Sequence, residues 1–153
     1  MARLCAPGAA AGGARIFGLW LLLCLPALLV RAEMVAGGLQ ERPVSDPDVQ
    51  KAATFALTAY NQASNSLFYY RQLRLVKAES QVVAGIKYYL TMEVVNTLCE
   101  KKAGSTLKEV DIQNCAVPLA GEQQKQICIF QVWSRPWLND IRLVHMSCEA
   151  TRS

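Results

Sequence analysis

Apolar positions follow three successive patterns along this chain: a continuous block, a helical stripe, and then alternation. The block runs from Ile16 to Val30, with Leu21-Leu22-Leu23 at its centre. Residues Glu33 to Pro43 are mixed and carry Gly37-Gly38, which predicts a flexible arm. Ser45-Asp46-Pro47-Asp48 reads as a helix start. Ser45 or Asp46 can accept from the free backbone N–H groups, and Pro47 suits a first turn that needs no donor from it. Val49, Ala52, Ala53, Ala56 and Tyr60 then recur at helical spacing, and the small alanines imply a closely packed partner. The polar run Asn61–Asn65 predicts the end of the helix.

From Leu67 the period becomes two. Leu67–Ala78 is rich in aromatic and β-branched residues, and Ile86, Tyr88, Leu90, Met92 and Val94 fall on one face of the next strand. Gln81-Val82-Val83-Ala84-Gly85 connects these two as a hairpin. Two further strands are predicted around Gln126–Ser134 and Asp140–Cys148, after a longer excursion from Glu100 to Gly121. One helix followed by successive hairpins predicts an α+β fold, with a four- to five-stranded antiparallel sheet carrying a single helix on one face.

Composition sharpens this reading once the leader is set aside. Met1–Ala32 holds Arg3, Arg15 and Arg31 but no acid. Its apolar block ends at Val30-Arg31-Ala32, with short residues at the positions a signal peptidase prefers. Pro26 interrupts the block, and it is short for a membrane span. Residues 1–32 are therefore expected to be a signal peptide, leaving one domain, 33–153, in a secreted protein without a stable membrane anchor. Removing the three leader arginines lowers the formal charge from +4 to +1, so nothing points to nucleic acid. Cys5 and Cys24 leave with the leader, and Cys99, Cys115, Cys128 and Cys148 remain. Four cysteines in a small secreted domain read as two disulfides, whereas a zinc site would need closer ligand pairs. Cys128 and Cys148 are symmetric about residue 138; if they face each other, the intervening turn is centred on Pro136–Asp140, unless a bulge shifts the register.

Catalytic chemistry finds no support. The single histidine, His145, lies in a predicted strand, and the four cysteines are expected to be oxidised. Glycine-rich phosphate loops and metal-ligand clusters are lacking in the sequence, so no cofactor is expected. The stronger signal is apolar residues where turns should be polar. Val82 and Val83 occupy one connection, Trp137 follows Pro136 in another, and Met34, Val35 and Leu39 lie in the arm. One such loop would simply tuck into the core. Three together suggest an exposed partner surface.

These residues resemble the cystatins, inhibitors of papain-like cysteine proteases. Gln81-Val82-Val83-Ala84-Gly85 is similar to their Gln-x-Val-x-Gly hairpin, Pro136-Trp137 to their second hairpin, and Gly37 to their N-terminal glycine. The leader and four cysteines resemble the secreted, two-disulfide (type 2) branch, of which the egg-white and legumain-inhibiting members are examples. The resemblance spans essentially all of 33–153 and implies the pairs Cys99–Cys115 and Cys128–Cys148. It also implies a wedge that fills a protease cleft without reacting. Val35 and Ala36 would enter the non-primed pockets and Gly37 would let the arm bend past the catalytic cysteine. Gln81, Val82, Val83, Ala84 and Gly85 would supply one loop, and Pro136 and Trp137 the other. The implied partners are cathepsins of the B, L, H and S class.

A second implied site is Asn65 in Ser64-Asn65-Ser66, because some secreted cystatins inhibit the asparagine-specific protease legumain through such a segment. Its plain reading is a polar turn ending the helix. The resemblance further implies a monomer able to form a domain-swapped dimer by opening the Val82–Val83 hairpin. The competing reading is a secreted module that keeps the fold without inhibiting. Asn61, Asn65, Asn96, Asn114 and Asn139 all fail the sequon at the third position, so no N-glycan is expected.

Overall fold

A computed structural model describes residues 37–102 and 111–151. The leader, Val35 and Ala36 lie outside the described residues. The chain runs β1 (Gln40–Glu41), α1 (Pro47–Ala63), β2 (Phe68–Val82), β3 (Ile86–Glu100), β4 (Lys125–Arg135) and β5 (Asp140–Ala150). The strands form one antiparallel sheet in the order β1-β2-β3-β4-β5. Among the described residues, no helix is long and apolar enough to cross a membrane.

Asp46 is the helix cap, accepting from the Asp48 and Val49 amides, with Pro47 at the first position. Arg42 pairs with the same Asp46 carboxylate. The alanine stripe is buried as the spacing predicts. Val49, Ala52, Ala53, Ala56 and Tyr60 pack on Tyr88, Leu90, Met92, Val94, Phe130 and Val132 of the sheet. The Tyr60 ring meets Tyr70 edge-on at 5.4 Å and Phe130 at 6.3 Å. Such crossed rings add modestly to the apolar area they bury.

Two details depart from the alternation-based expectation. Gln40–Glu41 pair with Ser80 and Glu79, so the end of the arm belongs to the sheet. The last hairpin also carries a bulge. Cys128 does face Cys148, but Gln131 pairs with His145 while Val132 pairs with Leu143, leaving Val144 as the extra residue. The connection is therefore Pro136–Asn139, one residue shorter than the symmetric count places it, with Asp140 already paired to Arg135.

Both disulfides form as the resemblance implies. Cys128–Cys148 ties β4 to β5 at a Cα–Cα distance of 4.1 Å. Cys99–Cys115 returns the excursion to the end of β3 at 5.9 Å. The Leu98 amide donates to the Ala116 carbonyl beside it. Each cross-link restricts the unfolded chain and is worth about 3 kcal/mol.

Candidate functional site

Antiparallel pairing brings both tight hairpins to one end of the sheet. Val82 and Ile86 close the β2–β3 connection, Val83-Ala84-Gly85. Ile86 is in turn paired with Ser134, next to the β4–β5 connection. The arm runs antiparallel to β2, so its path from Gln40 back to Gly37 leads toward the same end.

The first hairpin has a demanding backbone. Ala84 has φ 42° and Gly85 φ 138°, both in the region that favours glycine. The Val83 amide donates to the Gly85 carbonyl at 2.9 Å. Space is equally tight: a β-carbon on Gly85 would lie 2.8 Å from both the Ser134 carbonyl oxygen and Trp133 Nε1. The same Trp133 Nε1 donates to the Val83 carbonyl at 3.3 Å. The Arg135 guanidinium lies 4.5 Å from the centre of the Trp133 ring. Val83, Lys87, Trp133 and Val144 line an open depression of about 330 Å³ beside the hairpin.

The second hairpin is a single 3-10 turn, Pro136–Leu138, closed by Asn139 at φ 48°. Asn139 donates to the Pro136 carbonyl at 3.2 Å. Arg135 and Asp140 clasp its base with an ion pair, and Arg142 Nε reaches the second Asp140 oxygen at 2.9 Å. The Arg135 hydrogen bond, then that of Arg142, holds the Asp140 carboxyl below its usual range.

Both tips remain open to solvent although they are apolar. Val82 is 70% exposed, Val83 37%, Trp137 67% and the arm residue Leu39 56%. Gln81 is different, because its side chain is engaged within the molecule: Nε2 donates to the Gly37 carbonyl at 2.6 Å and Oε1 accepts from the Tyr89 hydroxyl at 3.0 Å. Sequence reasoning missed Tyr89, Trp133, Arg135 and Asp140. The available signal was a tyrosine and a tryptophan on the polar face of alternating strands, where neither is needed for the core.

Asn65 lies at the opposite end of β2 from the first hairpin and is exposed. Its two flanking serines bond back to the chain: Ser64 Oγ accepts from the Ser66 amide and Ser66 Oγ from the Phe68 amide, each at 3.2 Å. Lys101 Nζ donates to the Asn61 and Ser64 carbonyls at 2.8 Å each, replacing lost helical partners at the end of α1. Burial lowers the Lys101 pKa. Asn61, fully buried, holds the Tyr70 amide and carbonyl at 2.8 Å each. The segment carrying Asn65 is thus tied at both ends.

His145 is exposed on β5 opposite Gln131. Among the described residues, no cluster of His, Cys, Asp and Glu could hold a metal ion.

The described residues thus place a single helix on an antiparallel sheet, with two exposed apolar hairpin tips at the end of the sheet toward which the arm runs. The cystatin domain model matches residues 37–137. A cystatin from the snake Oxyuranus scutellatus scutellatus is 55% identical over 127 residues, 83% of this chain and 90% of its own length. A cystatin from Naja kaouthia is 56% identical over the same extent. The solved structure of dimeric human cystatin F superimposes with a TM-score of 0.66 at 26% identity, covering 84% of this chain and 98% of that one. The chain belongs to the cystatin family, in its type 2 branch. Family and fold together make it a cysteine protease inhibitor.

Proposed function

We propose that residues 33–153 are secreted after removal of a signal peptide, 1–32, and act as a tight, reversible inhibitor of papain-like cathepsins. The observation that supports this reading is the convergence of exposed apolar residues, Val82, Val83 and Trp137, on two cross-braced hairpins. Val35, Ala36 and Gly37 complete the contact from the arm. A surface already ordered by sheet, turn and ion pair loses little entropy on binding. A dissociation constant of about a nanomolar or below is expected, roughly −12 kcal/mol. Titration of the secreted chain against active papain should give stoichiometric inhibition. No inhibition would instead favour a non-inhibitory module with the same fold.

The Ser64-Asn65-Ser66 segment supports a second reading, inhibition of legumain. An exposed asparagine between two serines that bond back to the chain is a preorganised bait for an asparagine-specific protease. Asn65→Ala should abolish legumain inhibition and leave the papain constant within about twofold, since the two sites lie at opposite ends of β2. Loss of both activities would show that Asn65 is structural. The chain is proposed to be mainly monomeric, with a domain-swapped dimer reached by opening the β2–β3 hairpin.

A further inference from the structure

Gln81 belongs to the hairpin sequence, yet its amide does not face outward. It bridges the arm and the sheet. The Tyr89 hydroxyl donates to Gln81 Oε1 at 3.0 Å, and Gln81 Nε2 donates to the Gly37 carbonyl at 2.6 Å. The register explains why this side chain can do so. Gln81 pairs across β2–β3 with Lys87, and Glu79 with Tyr89, so Gln81 and Tyr89 are diagonal neighbours on the face away from the helix. Lys87 Nζ in turn sits over the Tyr89 ring, 5.2 Å from its centre.

The arm is fixed to β2 by backbone bonds only over a short stretch. Gln40 pairs with Ser80, Glu41 with Glu79, and the Arg42 amide donates to the Ala78 carbonyl. N-terminal to Gln40 the ladder stops, and Gly37 has φ 92°, turning the chain. Gln81 catches the chain at that turn. Both hydrogen-bonding groups of its amide are satisfied, which fixes the rotamer and the direction of the donor.

We propose that Gln81 and Tyr89 form a clamp that orients the N-terminal arm relative to the first hairpin. Gln81 is then a positioning residue, acting on the protease through the arm rather than by its own contact. This inference rests on the inhibitor reading for its functional half only. The clamp lowers the entropy lost when Val35 and Ala36 engage a protease, because the arm leaves the sheet in a fixed direction.

Two variants separate the clamp from a general effect on folding. Gln81→Glu keeps the acceptor for Tyr89 but replaces the donor to Gly37 with an oxygen. Tyr89→Phe keeps the ring and removes only the hydroxyl. Backbone amide heteronuclear NOE values at Gly37 and Gly38 should fall clearly in Gln81→Glu and by a smaller margin in Tyr89→Phe, with the values for Val83–Gly85 unchanged. Papain inhibition should weaken roughly three- to tenfold in each variant, the scale of one net hydrogen bond. In a Val35→Gly background, which removes the arm's apolar contact, the same two substitutions should have almost no further effect. Unchanged arm order in Gln81→Glu would overturn the clamp, as would a full additive loss in the Val35→Gly background. If the unsubstituted chain fails to inhibit papain, the inhibitor reading fails, and the NOE values still decide the clamp.

Discussion

At Gly85 two independent constraints coincide. Its φ of 138° is unfavourable for any residue with a β-carbon, and that carbon would meet a backbone oxygen and an indole nitrogen at 2.8 Å. Backbone cannot yield as a flexible side chain can, so Gly85→Ala should cost about 1–3 kcal/mol of stability and displace the hairpin tip. The expected readout is a lower Tm together with weaker papain inhibition; a stable variant with an unchanged constant would count against the hairpin's role. Trp137 lies at the other extreme, two-thirds exposed and contributing little to the fold. Trp137→Ala should leave Tm almost unchanged and weaken papain binding by about 2–4 kcal/mol. An unaltered inhibition constant would remove Trp137 from the contact surface. Trp137 could be read in the sequence because an apolar residue in a turn breaks a local expectation, and Gly85 through the resemblance of its hairpin sequence. Gln81 could be read as a loop residue but not as a strut, since its partner Gly37 is 44 positions away.

Elements followed the hydrophobic period closely where one side of the element is buried. The α1 stripe and the Ile86–Val94 alternation each specify a face, and the buried residues fall on those faces. The two-residue β1 has no such pattern, because both its residues are exposed and its pairing comes from β2. The bulge at Val144 was invisible for a related reason: an extra residue in an exposed edge strand leaves the core alternation of β4 intact. The hairpin beyond it is held by charge as well as by register. Asp140 has its folded pKa depressed by Arg135 and Arg142, so its contribution is complete above the ordinary aspartate value of about 3.8. It is lost as pH falls below that value through the lowered folded pKa. Trp137 mobility, read by fluorescence anisotropy, should therefore increase only in that acidic range. Asp140→Asn should show the looser hairpin at neutral pH and no transition on acidification. A transition of the same size in Asp140→Asn would assign the change to another carboxylate.

For the molecule as a whole, the β2–β3 hairpin carries two proposed roles, as part of the protease-binding edge and as the hinge for exchange. Ala84 occupies a left-handed conformation at φ 42°, which costs about 1 kcal/mol for a residue with a β-carbon. Straightening β2 into β3 would relieve that cost and let α1 and β2 pack on a second copy. Cys128–Cys148 and Cys99–Cys115 lie outside the exchanged segment, so neither disulfide resists the opening. The Trp133 hydrogen bond to the Val83 carbonyl would oppose that opening. The exchanged dimer has no β2–β3 tip and should not inhibit papain, whereas the Asn65 segment, before β2, should survive in each half. Heating followed by size exclusion should yield a dimer fraction that inhibits legumain alone. Ala84→Gly should reduce that fraction by removing the backbone cost, and Trp133→Phe should raise it by removing the brace. A heated sample that elutes only as active monomer, with Trp133→Phe behaving identically, would place the hinge elsewhere or deny exchange altogether.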